Sequence, residues 1–227
     1  MAAKRIGFIG YGLRSRTMMQ SFRALEADIA VAAIVDPRAE QIRAEIADDP
    51  YFTGAVFYDT PEEMLARAEL DGVFIGTRCS LHAKLAALVL ESGLPLFLEK
   101  PVCISEEQYA LLSAAAKGRE AQAVVSFPLR LTPVVQAVRR VVQAGTLGRI
   151  TMVQAVNNVP YGSVYYHSWY RDANETGGLF LQKMTHDIDY IDYLTGETPV
   201  DAFARTAKLH FRGDRPAGLR CPDCPDY

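Results

Sequence analysis

The sequence is poor in three things that often decide a protein's class. Cysteine is the first, with four in the chain. Cys79 and Cys103 stand alone, and only Cys221 and Cys224 make a C-x-x-C pair. Dispersed thiols of this kind are not the framework of a small secreted domain. A single C-x-x-C is half a zinc site, because structural zinc takes four ligands, so no metal is expected. Long apolar runs are the second. No stretch approaches the about 20 apolar residues that cross a bilayer. The opening MAAKRIGFIG lacks the apolar core of about 7–15 residues that marks a signal peptide. The expectation is a cytoplasmic protein without a membrane partner. Excess charge of one sign is the third. A net charge of -3 and a pI near 5.8 give no general attraction to nucleic-acid phosphates or anionic lipid.

What is present is a core. Hydrophobic residues make up 49% of the 227, enough to fill one large domain or two small ones. The chain opens on a short apolar strand, KRIGFIG, followed by a glycine turn, a helical segment, and a second strand, DIAVAAIVD, that ends in an acid. That order is what a dinucleotide site requires. Gly10 permits the sharp turn, and Gly12 lets the backbone approach a pyrophosphate at the helix N-terminus. Ser15 stands where the third glycine of G-x-G-x-x-G would be, and it is small enough for close helix–strand packing. The turn Gly10, Tyr11, Gly12, Leu13, Arg14, Ser15 is the expected phosphate cradle. Asp36 is the expected acceptor for the adenosine ribose hydroxyls. Arg38 lies close enough in sequence to meet a 2′-phosphate, so NAD is the expected cofactor and NADP stays open.

Strands and helices then alternate. Thr60–Pro61, Ser80 and Ser105 with Gln108 read as helix starts, and Gly93 and Gly118 as helix stops. The pattern predicts an α/β fold with a doubly wound parallel sheet, whose ligands bind at strand C-terminal ends. Those ends carry Gly10, Asp36, Thr77, Glu99 and Lys100. Thr132–Pro133 caps a further helix. The aromatic run YGSVYYHSWYRD (161–172) reads as a loop suited to a sugar ring, with Trp169 and Arg171 as substrate contacts. Near the end, GGLFLQKMTHDIDYIDYL has helical spacing over 178–194. Leu181, Met184, Ile188 and Ile191 share an apolar stripe, and Lys183, His186, Asp187 and Tyr190 share another face. A solvated face and the wall of a cleft are both open from spacing alone.

GFIGYG, Gly76–Thr77 with His82, Glu99-Lys100-Pro101, GRI at 148–150 and the GGLFLQKMTHDID helix together resemble the Gfo/Idh/MocA oxidoreductase family. The resemblance implies an NAD(P)-binding Rossmann domain over 1–123. It also implies an incomplete second α/β domain over 124–227, with an open, mostly antiparallel sheet. It implies hydride transfer between a nicotinamide and a sugar or polyol. Lys100 and His186 would then be catalytic, with Lys183 and Gln182 beside them. Thr77, His82, Glu99 and Lys100 would join the cofactor site, and Arg130, Lys100, Lys183 and His186 would meet the substrate. Three features depart from the family pattern. Thr77-Arg78-Cys79-Ser80-Leu81-His82 stands for Thr-Pro-Asn-x-x-His, Gln182 stands where Asp is common, and relatives run on for longer. The second sheet is expected to contain strands 150–157 and 200–211, paired with each other. The helix at 178–194 is expected to cover one face, a loosely ordered tail to follow from Arg212, and the chains to form a homo-oligomer. A catalytically silent dinucleotide-binding regulator and an NAD-dependent glycosidase remain alternatives.

Overall fold

The computed structural model describes residues 3–25, 27–158, 160, 162–207, 216 and 219–224. Its centre is a six-stranded sheet built from β1 (Lys4–Ile9), β2 (Ile29–Val35), β3 (Val56–Phe57), β4 (Gly72–Ile75), β5 (Leu96–Leu98) and β6 (Ala123–Val125). The spatial order is β3-β2-β1-β4-β5-β6, and every pairing is parallel. Parallel neighbours require crossovers. These are α1 (Leu13–Ala24), α2 (Ala39–Glu45), α3 (Pro61–Arg67), α4 (Cys79–Glu91) and α5 (Glu106–Ala116). The strand order reverses between β1 and β4, so the loops after those strands splay apart and leave a crevice.

Both faces of the sheet are buried, and alternate residues of each strand serve opposite faces. Ile9, Ala33, Val73 and Ile75 pack with Met64 of α3 and with Ala86, Val89 and Leu90 of α4. Phe8, Ile34 and Phe74 pack with Met19 of α1 and Ile42 of α2. Phe8 meets Tyr11 edge-on at 5.4 Å and Phe74 at 5.2 Å. Thr60 and Ser105 cap their helices by accepting from the N–H of Glu63 and Gln108. Ser80 does not cap. The helix begins one residue earlier, at Cys79, and the Ser80 hydroxyl donates to Glu175 Oε2 at 2.5 Å instead.

Beyond the sheet lie α6 (Pro133–Gln143), α7 (Gly162–His167), α8 (Ala173–Thr176) and α9 (Leu179–Thr195). The aromatic run at 161–172 is therefore not a plain loop. It supplies α7 and a 3-10 turn at Trp169–Arg171, opened by the Ser168 side chain accepting from the Tyr170 N–H. Gly177 ends α8 at φ +70, and a Cβ there would sit 3.0 Å from that of Ile104. The chain thus turns tightly against the first domain before α9 begins. Helices α6 and α9 pair through Tyr193, which accepts from Gln136 Nε2 at 2.9 Å and lies under the Arg139 guanidinium.

The two strands expected for a second sheet are not formed among the described residues. Residues 150–158 and 201–207 have no ladder, and 208–211 lie outside the described residues, as does most of 212–227. The side chains are apolar but unpacked: Met152 is 82% exposed, Val200 93% and Phe203 89%. Alternating apolar residues favour a strand only where a neighbouring edge takes up its N–H and C=O groups, and two such segments alone are marginal. Accordingly, α9 does not cover a sheet face, and Met184 and Ile188 on its apolar stripe remain exposed.

Candidate functional site

The crevice at the sheet's switch point is a cleft of about 930 Å³. Its floor is the turn after β1. Gly10 adopts φ +80, and a Cβ there would come within 2.7 Å of Thr77 Cγ2. A side chain would therefore close the gap between the β1 and β4 loops. Gly12, Leu13 and Arg14 also line the cleft. The first turn of α1 has no side-chain cap, which leaves N–H groups for an anion. Asp36 Oδ2 accepts from the Tyr11 N–H at 2.8 Å, tying the end of β2 to the turn. Its carboxyl is held below its ordinary pKa. Burial pushes it upward, but hydrogen bonds from the Arg38 side chain, the Arg38 N–H and the Tyr11 N–H outweigh that. The carboxylate thus stays charged at the cleft wall.

Two residues of the expected cradle do not reach it with their side chains. The Tyr11 ring is 3% exposed and packs on Phe8 and Phe52, because the tight turn aims it into the core. The Ser15 hydroxyl is fully buried and donates to the Gly10 carbonyl at 2.6 Å. A Cβ at Gly76 would strike that hydroxyl, so Ser15 packs α1 against the β4 loop and holds the turn.

The opposite wall comes from β4, β5 and α9. His82 is 1% exposed, with Nδ1 2.7 Å from the Pro101 carbonyl and Nε2 3.3 Å from the Thr77 carbonyl. Burial lowers its pKa despite those carbonyls, so it is a neutral brace between the two strand-end loops. Glu99 is 4% exposed and accepts from Arg14 at 3.1 Å. Lys100 donates from Nζ to the Gln182 carbonyl at 3.0 Å and lies 3.4 Å from its Oε1. Burial lowers its pKa, and Lys183 adds to that. Gln182 is 2% exposed, and its amide nitrogen is shared between Cys79 Sγ at 3.0 Å and the Thr176 carbonyl at 3.2 Å. The amide is thus spent on protein groups, and Gln182 braces Lys100 instead of offering a free group to a ligand. Burial also raises the Cys79 thiol pKa.

One turn on, His186 lines the same cleft with its ring edge-on to Phe127 at 5.9 Å. Its Nδ1 is buried with no partner among the described residues. Burial first, then the charges of Lys100 and Lys183, lower its pKa to about 4. It is therefore a neutral imidazole at pH 7. The polar face of α9 is a cleft wall. Two α9 carboxylates are taken up by protein groups: Asp189 pairs with Arg130, and Asp187 accepts from Asn157, which itself lines the cleft.

Arg130 is accordingly not a cleft residue. Its guanidinium grips Asp189 through two bonds of 2.7 and 2.5 Å, fastening α9 to the segment before α6. Arg171 is exposed, is not among the residues lining the cleft, and donates to the Leu219 carbonyl at 3.4 Å. Trp169 does reach the cleft, together with Tyr170.

The profile of the Gfo/Idh/MocA oxidoreductases, described as an NAD-binding Rossmann fold, matches residues 4–127. The chain belongs to the Gfo/Idh/MocA oxidoreductase family. The family's C-terminal domain profile matches residues 135–218. Relatives include the rhizopine catabolism protein MocA of Rhizobium meliloti, 26% identical over 94% of this chain and 64% of the relative. An inositol 2-dehydrogenase of the same species is 27% identical over 90% of this chain and 59% of its own. Among solved structures, myo-inositol 2-dehydrogenase from Lactobacillus plantarum superposes with a TM-score of 0.75 at 21% identity, covering 87% of this chain and 58% of that one. The chain thus spans about 58–64% of these proteins' length.

Against the Gfo/Idh/MocA pattern, Arg78, Cys79, Ser126, Asn157 and Tyr170 are cleft residues that motif reading passed over. Arg78 and Cys79 carried a signal, since they stand just where the family pattern is broken. Asn157 carried none, because nothing in its neighbourhood announces a turn toward α9. Among the described residues there is no cluster of ligands suited to a metal ion and no helix long and apolar enough to cross a membrane.

Proposed function

We propose that this protein is an NAD(P)-dependent oxidoreductase acting on a CH–OH group of a sugar, a polyol or a related hydroxylated small molecule. One observation carries the reading. The cleft that starts at the Gly10–Gly12 turn and Asp36 continues without a break to Lys100, Lys183 and His186. The Gly10–Gly12 turn and Asp36 would hold a dinucleotide, and the part lined by Lys100, Lys183 and His186 would be left for the hydroxylated substrate. The residues fit the cofactor: a turn that a Cβ would block, an uncapped helix start and a charged carboxylate at the end of β2. Bound NAD supplies the hydride acceptor. The chain's own residues handle the proton. His186, a neutral imidazole lining the cleft, takes the hydroxyl proton as general base. The Lys100 amine, fixed by Gln182, aims at the same oxygen and stabilises the charge that develops there. Burial first, then the charges of Lys100 and Lys183, keep His186 in its basic form. Thr77, Glu99 and His82 shape the cofactor wall.

Within this reading, residues 1–123 form the cofactor domain and 124–227 part of a substrate and assembly domain. Apolar surface at Met152, Val200 and Phe203 supports a homo-oligomer, and a cytoplasmic location accompanies soluble sugar chemistry. The test is a panel of sugars, polyols and nitrophenyl glycosides, with NAD and NADP, followed by nicotinamide absorbance and by aglycone release. Net NADH or NADPH formation on a polyol supports the proposal. Aglycone release without net reduction replaces it with a glycosidase. Tight cofactor binding with no turnover replaces it with a regulator.

A further inference from the structure

The substrate end of the cleft has an unusual balance of charge. Two carboxylates line the cleft, and each is already committed: Asp36 to Arg38 and Glu99 to Arg14. Lys100, Lys183 and Arg78 line it as well, and none of these three has a carboxylate within ion-pair distance among the described residues. Two of the three rest on aromatic faces. The Arg78 guanidinium lies 4.2 Å above the Trp169 ring, and the Lys183 ammonium lies 4.7 Å from the Tyr165 centroid. Between those rings sits Tyr170, stacked on Trp169 at 4.0 Å and 5.3 Å from Tyr165. The result is a continuous aromatic strip with a cation at each end.

From this arrangement we propose that the substrate is an anionic hydroxylated ring, one bearing a carboxylate or a phosphate, which Arg78 and Lys183 bind over the Trp169–Tyr170 platform. The proposal rests on the oxidoreductase reading above and narrows its substrate class. Arg78 is exposed and Lys183 half-buried, and a neutral polyol leaves both without a counter-charge. An anion pairs with them through charge-assisted hydrogen bonds, while the aromatic faces take the C–H face of the ring. Burial is the first cause of the low His186 pKa, and such an anion offsets only the smaller part that Lys100 and Lys183 add.

The chain itself carries the probe. Trp169 is the single tryptophan in the sequence, so selectively excited tryptophan emission reports on this platform. With NAD present, D-glucuronate and glucose 6-phosphate, compared with glucose and myo-inositol, are titrated against the full chain. The expected result is that at least one anion binds about tenfold to hundredfold more tightly than either neutral compound, and that added salt erases the advantage. The carboxylate and phosphate arms separate the two sources of charge. Arg78→Met and Lys183→Met should each remove about tenfold of that preference while NAD affinity stays the same, and Arg78→Lys should restore part of it. Equal binding of all four compounds, or of none while NAD binds, overturns the inference and leaves the cofactor reading standing. Loss of NAD affinity in Arg78→Met with unchanged anion preference assigns that cation to the cofactor and overturns it as well. Failure of NAD itself to bind would instead remove the oxidoreductase reading.

Discussion

The two halves of the chain are held together by different forces. Up to Ala115 every strand and crossover helix of the sheet layer except β3 contributes buried apolar side chains, among them Phe8, Ile34, Phe74 and Ile75. After Phe127 the buried residues named among the described ones are Thr176 and Gln182, both polar. The second half is fastened instead by specific polar contacts: Ser80 to Glu175, Lys100 to Gln182, Arg130 to Asp189 and Asn157 to Asp187. Apolar burial is non-directional and cooperative, whereas a hydrogen bond fixes one geometry and contributes about 0.5–1.5 kcal/mol. The cofactor wall is therefore built into a core, and the substrate wall is tethered to it at a few points. Both walls meet at Lys100, which stands at the end of a core strand and holds α9 by its carbonyl.

The sharpest break of this comparison is chemical. Lys100→Ala and His186→Ala should each lower turnover by about 10²–10⁴ and change NAD affinity only a few-fold. Steady-state kinetics beside NAD titration checks this, and an equal loss of NAD binding would show that the two walls are not separable. Next comes stability. Phe8→Ala should cost about 3–5 kcal/mol in urea unfolding, whereas Phe203→Ser, at a position 89% exposed, should stay within about 0.5 kcal/mol. Similar losses from both would mean that Phe203 is packed in solution, through an oligomer. Gln182→Leu tests the tether. It strips Lys100 of its side-chain partner and leaves Cys79 and Thr176 without the amide, so we expect about 1–3 kcal/mol of destabilisation and a lower kcat with KM for NAD unchanged. Asp36→Ala should weaken NAD binding about tenfold and narrow its preference over NADP. Equal affinities before and after would remove Asp36 from the site.

The last effect is on pH. His186 is lowered from 6.5 to about 4 in the fold, so between those values the unfolded chain binds more protons than the native one. Stability from this group is complete above pH 6.5 and is lost as pH falls toward 4. His82, also lowered by burial, acts in the same direction. In thermal melts from pH 7 to 4 the wild type should lose stability relative to His186→Gln as the pH drops. A constant gap would show that His186 titrates normally.

Much of the first half was legible residue by residue. Alternating apolar strands, caps at Thr60 and Ser105, and the glycine turn with its distal acid are all local codes, because hydrogen bonds and dihedral limits act within a few positions. The parallel sheet follows from the strand–helix alternation. The sequence also placed Lys100, Lys183 and His186 on faces that could meet, and the fold brought them to one cleft. Local codes did not settle what those faces look at. Tyr11 turned into the core because the tight turn aims it there, and Ser15 turned onto the Gly10 carbonyl because α1 comes close to Gly76 after β4. Arg130 closed on Asp189 and Arg171 turned toward Leu219, so neither reached the cleft. Strands at 150–157 and 200–211 had the right residues, but a strand exists only when another edge completes its ladder. The sequence by itself determined the Rossmann layer and the inventory of chemical groups, since both depend on short-range periodicity. Only the tertiary structure decided which of those groups share a cleft, that Gln182 serves Lys100, and that Arg78 and Lys183 flank one aromatic strip, since each of these depends on contacts between residues distant in the chain.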